Sequence, residues 1–176
     1  MATFFEVYED LSNLAEGKQT SRPRIDPSIV QAKVDAQKKN KELFDTTAIP
    51  GVSVAANQYW TFLVSKEALK GFADMPHEDA KKAAARLNAI LPSVAINGSC
   101  AAESESLLNK APDYPIFALR LCKGETSLPI RLLVFLLRTN EGKRYMVIGS
   151  AFIHRKKVWL DSEKNSADRA FERFLR

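Results

Sequence analysis

The sequence predicts an α+β fold: a small antiparallel or mixed sheet, two helices ahead of most of its strands, one helix after them, and a helical N-terminal extension. Three observations carry this expectation. Short apolar segments, Tyr59–Val64, Ile116–Leu121, Ile130–Leu137 and Tyr145–Phe152, are each bounded by turn residues, as strands are. Between the first segment and the rest, apolar residues recur every three or four positions, the period of a helix. The last three strand segments follow one another, which joins them as a meander whose one face the helices are expected to cover.

The elements follow in order. The opening FFEVYEDLSNLAEG sets Phe4, Phe5, Tyr8, Leu11, Leu14 and Ala15 at helical spacing, with Gly17 as a stop. QTSRPRIDPS is a linker, since Pro23 and Pro27 bar a regular helix. A second helix is expected from Pro27 to Leu43, capped by Asp26, with Ile29, Val30, Val34 and Leu43 as a sparse apolar edge. It is too polar to stand alone and needs a surface to lie against. Thr46 to Gln58 reads as loop, and a boundary near residue 57 divides the chain into an extension, 1–57, and a main domain, 58–176.

Within that domain the strand Tyr59–Val64 leads to Ser65, which can cap a helix over Lys66–Ala73, with Leu69 and Phe72 on one face. Pro76 opens a longer helix in which Ala80, Ala83, Ala84, Leu87, Ile90 and Leu91 repeat, and Pro92 ends it. TNEGKR joins the last two strands as a tight hairpin, with Gly142 available for positive φ. SEKNSADRAFERFLR closes the chain as an amphipathic helix.

Charge is unevenly spread. From Lys110 to Arg176 the chain holds fourteen Lys or Arg against seven acids, more than the whole net charge of +5, whereas the first eighteen residues are net negative. A basic C-terminal part favours a polyanionic partner. Cys100 and Cys122 form no CxxC pair, so neither a disulfide framework nor a zinc site is expected, and the chain reads as a cytoplasmic protein with reduced thiols. No basic flank with an apolar run opens the sequence, and the most apolar stretch, Leu128–Leu137, is too short to span a bilayer and contains Arg131.

Four segments, taken in order, resemble the RelE/HigB/ParE toxin superfamily and its phage Gp49-like branch over residues 59–176. They are YWTFLVSKEALKGFADMPHEDAKKAAARLNAIL, PDYPIFALRL, PIRLLVFLL and VIGSAFIHRKKVWL. Residues 1–58 have no counterpart in the minimal family pattern. The resemblance implies a toxin of a toxin–antitoxin or phage module: a ribosome-associated endoribonuclease that cleaves mRNA by acid–base chemistry of its own side chains, without metal or other cofactor. It also implies two partners, mRNA on the ribosome and a cognate antitoxin protein, and no membrane.

Cleavage by 2′-OH attack needs a proton acceptor, a proton donor and cations around the phosphate. The resemblance places this work on Arg120, Arg131, His154 and Lys156. Arg131 heads a strand that is otherwise Leu, Val and Phe, so its cation must reach solvent or a partner. His154 is followed by three cations that favour its neutral base form near pH 7. Lys123, Arg144, Arg155 and Lys157 are expected to hold RNA phosphates, and Trp159 is a candidate for base stacking. His77 reads as a surface residue. One departure stands out: many cleaving members carry a tyrosine or second histidine late in the site, and no tyrosine follows Tyr145 here. That keeps two alternatives open, a ParE-like non-cleaving inhibitor of DNA gyrase and a non-toxic interaction protein of the same fold. The extension over 1–57, an acidic amphipathic helix followed by a polar one, is expected either to mask the basic face in cis or to pad the back of the sheet.

Overall fold

The computed structural model describes residues 25–93, 108–110, 117–120 and 130–153, with Ser162, Asn165, Arg169, Glu172 and Arg173. The helix expected over residues 4–17 and both cysteines lie outside them.

Helix α1, Pro27–Lys39, starts where its cap was expected. The Asp26 carboxylate accepts a hydrogen bond from the Ser28 amide at 2.9 Å, which holds its pKa below the usual carboxylate range. The helix ends four residues earlier than its apolar edge suggested. The Glu42 amide donates to the Gln37 carbonyl at 2.8 Å and the Lys41 amide to the Lys38 carbonyl at 3.1 Å, with Lys41 at φ 56°. This paired closure reverses the chain with a lysine where glycine is the usual residue. Leu43 therefore belongs not to the helix but to a short strand, β1, Leu43–Asp45.

Strand β2, Trp60–Ser65, runs directly into α2, Lys66–Asp74, and α3, His77–Ile90, follows after Met75 and Pro76. Ser65 caps α2 as expected: its Oγ accepts from the Ala68 amide at 3.1 Å. The remaining strands are β3, Leu108–Lys110, β4, Phe117–Arg120, β5, Ile130–Arg138, and β6, Arg144–Ile153. Gly142 takes φ 82° in the β5–β6 turn, as its position required. Ser162, Asn165, Arg169 and Glu172 are helical, in line with the closing helix.

The fold is α+β with a small mixed sheet, in the order β1-β2-β6-β5-β4-β3. β3 to β6 form the expected antiparallel meander, with β3 as an additional three-residue strand. β2 lies parallel to β6, because the α2–α3 crossover carries the chain away and the meander returns its last strand to β2's side. The β2 edge is covered by β1 and by the segment before it, where the Phe62 amide donates to the Ala55 carbonyl at 3.0 Å. Such cover suppresses edge-to-edge pairing.

Helices lie on both faces of this sheet, which corrects the expectation of one covered face. On the first face, Ala68, Phe72, Ala83, Ala84, Leu87 and Ile90 of α2 and α3 pack on Phe62, Val64, Leu132, Val134, Leu136, Met146 and Ile148. On the second, Ile25, Val30 and Val34 at α1 pack on Leu43, Leu63, Phe135, Leu137, Tyr145 and Val147. The polar helix thus finds its surface through one narrow stripe. Ile49 and Val52 join the first core, so the boundary placed at residue 57 does not separate two cores. Asn57 itself is a joint: its Oδ1 accepts from the Trp60 amide at 2.7 Å and its Nδ2 donates to the Leu91 carbonyl at 3.2 Å. Among the described residues no helix is long and apolar enough to cross a membrane.

Candidate functional site

The β5–β6 ladder contains one irregularity, and it decides which side chains share a face. Leu133 pairs with Ser150 but Val134 with Ile148, so Gly149 is an extra residue bulged out of β6. A bulge reverses the in–out alternation beyond it. Without it, Phe152 would point toward α2; with it, Phe152 stands on the second face, opposite Arg131. The bulge is fixed from the side, because the buried Ser65 hydroxyl donates to the Gly149 carbonyl at 2.9 Å while it caps α2. Just beyond, α2 rests directly on β6: a Cβ at Gly71 would overlap the backbone carbonyl of Ala151. The serine that caps α2 and a glycine in its second turn therefore hold the end of β6 in place.

Across this end of the sheet run three residues in register: Arg120 on β4, Arg131 on β5 and Phe152 on β6. Arg131 and Phe152 are each half-buried. Arg131 Nη1 donates to the Ile130 carbonyl at 3.2 Å. The next row on the same face has Leu133 paired with Ser150, both buried. α1 covers this face from Phe135 onward, roughly 13 Å further along β5 at the usual rise per residue. The Arg120 and Arg131 positions are thus partners across the β4–β5 ladder, and Arg131 lies on the face that α1 shares.

Arg144 is not part of this group. It pairs with Arg138 next to the hairpin turn, on the first face, with Arg138 roughly 23 Å from Arg131 along β5. Lys123, His154, Arg155, Lys156, Lys157 and Trp159 lie outside the described residues. His77 is exposed in the first turn of α3, as expected.

Two further arginines have structural partners. Arg173 meets Glu42 at 2.6 Å and Glu67 at 3.8 Å, and Arg169 meets Glu67 at 3.9 Å. Gln37 Nε2 donates to the Arg173 carbonyl at 2.7 Å. Part of the C-terminal positive charge is therefore spent on fastening the chain's last helical residues to the end of α1 and the start of α2.

Tyr145, the last tyrosine, is buried and has a joint's role. Its hydroxyl donates to Gln31 Oε1 at 2.7 Å, tying β6 to α1. Lys143 lies 5.2 Å from the ring centre, and hydrogen bonding to Tyr145 raises the Lys143 pKa above the usual lysine range. This cluster stands by the hairpin turn, at the opposite end of β6 from Phe152. A shallow hollow lined by Lys38, Leu43, Phe44, Asp45, Thr47 and Ala48 lies at the β1 edge, and β1 is separated from β4 by three strands. Among the described residues no three of His, Cys, Asp and Glu come together as metal ligands.

The sequence singled out Arg120 and Arg131 but missed Phe152 as their neighbour. The available signal was Gly149 within an otherwise apolar strand, a common mark of a bulge. Comparison of the chain with protein-family models, with curated proteins and with solved structures finds no match.

Proposed function

We propose that the chain is a toxin of the RelE/HigB kind, a ribosome-associated endoribonuclease that acts on mRNA. The observation that carries this reading is the cross-strand pair of Arg120 and Arg131 on one sheet face. Two arginines at paired register positions suit a backbone phosphate, which is the anion the reading supplies. The element order strand, helix, helix, then the meander of β4 to β6 and closing helical residues, also agrees with the order the resemblance implies.

In the proposed reaction the 2′-oxygen bonds to phosphorus as the bond to the 5′-oxygen breaks, leaving a 2′,3′-cyclic phosphate, and Arg120 and Arg131 stabilise the charge that gathers on the phosphate. His154, two residues beyond Phe152 in sequence, takes the 2′ proton, Lys156 supplies a further cation, and a proton from solvent water completes the departing 5′-hydroxyl. Arg155 and Lys157 hold flanking phosphates. Arg144 has no place in that set, given its face and end of the sheet. Tyr145 supplies no proton either, because its hydroxyl is committed to Gln31. The antitoxin is proposed to cover the Arg120–Arg131–Phe152 row.

The test is expression of the chain in bacteria while translation and transcript 5′ ends are followed together. The reading expects halted translation and new 5′ ends, both lost in the R131A/H154A double variant at equal protein level. Induced DNA damage response and lost supercoiling, with intact transcripts, would instead favour the gyrase-binding alternative. Masking in cis is tested by removing residues 1–24, since a cut at residue 57 would also remove α1 and β1 from their cores. Unchanged growth arrest in that truncated chain would remove the masking idea.

A further inference from the structure

We propose that α1 is a hinged strap, which lifts off the second sheet face as a unit while α2, α3 and the sheet stay closed. The inference is independent of the nuclease reading and adds a conformational device to the fold. Its ground is the seam between helix and sheet. α1 is 13 residues long, and of these only Val30 and Val34 are buried. Ile25 joins them from just ahead of the helix. By contrast α3 buries Ala83, Ala84, Leu87 and Ile90, and α2 is seated so closely on β6 that no Cβ fits at Gly71. A helix as short as α1 is marginal in water without its tertiary face. The narrow stripe and the polar contacts across the seam therefore set how firmly α1 is held.

Three polar side-chain contacts cross that seam among the described residues. Tyr145 donates to Gln31 Oε1 at 2.7 Å, Gln37 Nε2 donates to the Arg173 carbonyl at 2.7 Å, and Lys38 meets Asp45 at 3.4 Å. Val30, Gln31, Val34, Gln37 and Lys38 follow at three- and four-residue steps, so they share one face of the helix. The Lys38–Asp45 pair is exposed, with side chains 39% and 51% accessible, and contributes little. The polar part of the hold falls on the two glutamines. Behind them the chain reverses through Lys41 at φ 56°, and Glu42 is already fixed beyond the reversal. Arg173 meets the Glu42 carboxylate at 2.6 Å, and the Glu42 carbonyl accepts from the Lys66 amide at 3.0 Å. Lys41 is thus the hinge. Rotation there frees α1, relieves a left-handed conformation that side chains disfavour, and leaves β1 in register with β2. Lifted, α1 uncovers Leu63, Leu137, Tyr145 and Val147, an apolar stripe across β2, β5 and β6.

The experiment is amide hydrogen exchange of the full chain, read by mass spectrometry on peptides from α1, α3, β5 and β6. We expect α1 to exchange at least about tenfold faster than β5, as a locally opening unit does. Its rate should also respond less to low urea, because a local opening exposes little surface. Q31A and Q37A should each speed α1 about fivefold, the effect of one lost hydrogen bond, and leave α3 and β5 unchanged. N88A breaks the bonds of Asn88 to Ser53 and Gly51, between α3 and the segment before β2, and should leave α1 unchanged. Exchange of α1 at the β5 rate, or a rise in α1, α3 and β5 together in Q31A, would show that α1 opens only by global unfolding and would overturn the strap. Exchange of α1 at the rate of an unfolded peptide in the wild type would overturn it equally, since no closed state would then exist to open.

Discussion

Each end of β5 pairs an arginine with an arginine of a neighbouring strand, and the two ends are built differently. Near the turn, Arg138 faces Arg144 on the side of α2 and α3. At the other end, Arg131 faces Phe152 on one side and Arg120 on the other, on the face of α1. The turn end is ordinary hairpin construction, in which Gly142 supplies the positive φ and Thr139 and Lys143 close the loop at 2.9 Å. The far end is re-aimed by a bulge that a buried serine holds. The lesson is that a strand-end arginine has no meaning until its face is known, and a single extra residue changes the face.

The largest test of this contrast is functional. R131A should lower RNA cleavage about 10²- to 10³-fold, the effect of losing one donor to a developing oxyanion. R144A, at the other end, should leave cleavage within about threefold, a change of less than 1 kcal/mol in the barrier. Rates on a short RNA in ribosome-bound form, measured for both variants side by side, would decide it. Equal losses would mean that the two ends act as one surface.

How much of this was legible beforehand follows from the same contrast. The turn end was readable: TNEGKR between two apolar runs names both the hairpin and the role of Gly142. Ser65 as a helix cap, Pro76 at the opening of α3 and the order of the main strands were equally local, and local chemistry is what a sequence displays. The far end was not readable in full. VIGSAFI reads as one continuous strand, and only its glycine hints that alternation breaks there. The reversal that follows α1 places Lys41, not a glycine, at positive φ, so the sequence draws Leu43 into the helix. That α1 would share the arginine face depended on Leu63, Phe135 and Val147, which are distant in sequence and look like generic core. Arg120 and Arg131 were visible as cations but their pairing rests on the register across the segment 121–129. The expectations for Lys123, His154, Arg155, Lys156 and Lys157 lie outside the described residues.

The next two predictions concern stability at the two ends and use one substitution, glycine to alanine. At Gly71 the added methyl meets the backbone of Ala151, which cannot rotate away, so α2 must lift from β6. Overpacking of this kind costs on the order of 1–3 kcal/mol, and it should also disturb the row containing Phe152. At Gly142 nothing lies within 4 Å of the added methyl, and the cost is backbone strain alone at φ 82°. That is about 1 kcal/mol. Urea unfolding of G71A and G142A should rank them in this order. Only G71A should also weaken RNA binding, and a reversed ranking would show that the α2–β6 seating is not what holds the far end.

The smallest effect distinguishes arginines that build the fold from arginines that face one another. Arg173 reaches Glu42 at 2.6 Å, but their side chains remain 34% and 30% exposed, so solvent screens the pair. A double-mutant cycle with E42Q and R173Q should give a coupling of about 0.5 kcal/mol, in the range of exposed ion pairs. It should shrink further in high salt. Neither single variant should change RNA cleavage beyond its effect on folding, because both groups serve the junction of α1, α2 and the closing helical residues. A cycle at Arg120 and Arg131 should come out with the opposite sign in the absence of RNA. Removing one member of a like-charged pair relieves repulsion, so the double variant would gain less than its two single variants together. Coupling of the same sign at both places would mean that Arg120 and Arg131 do not repel one another.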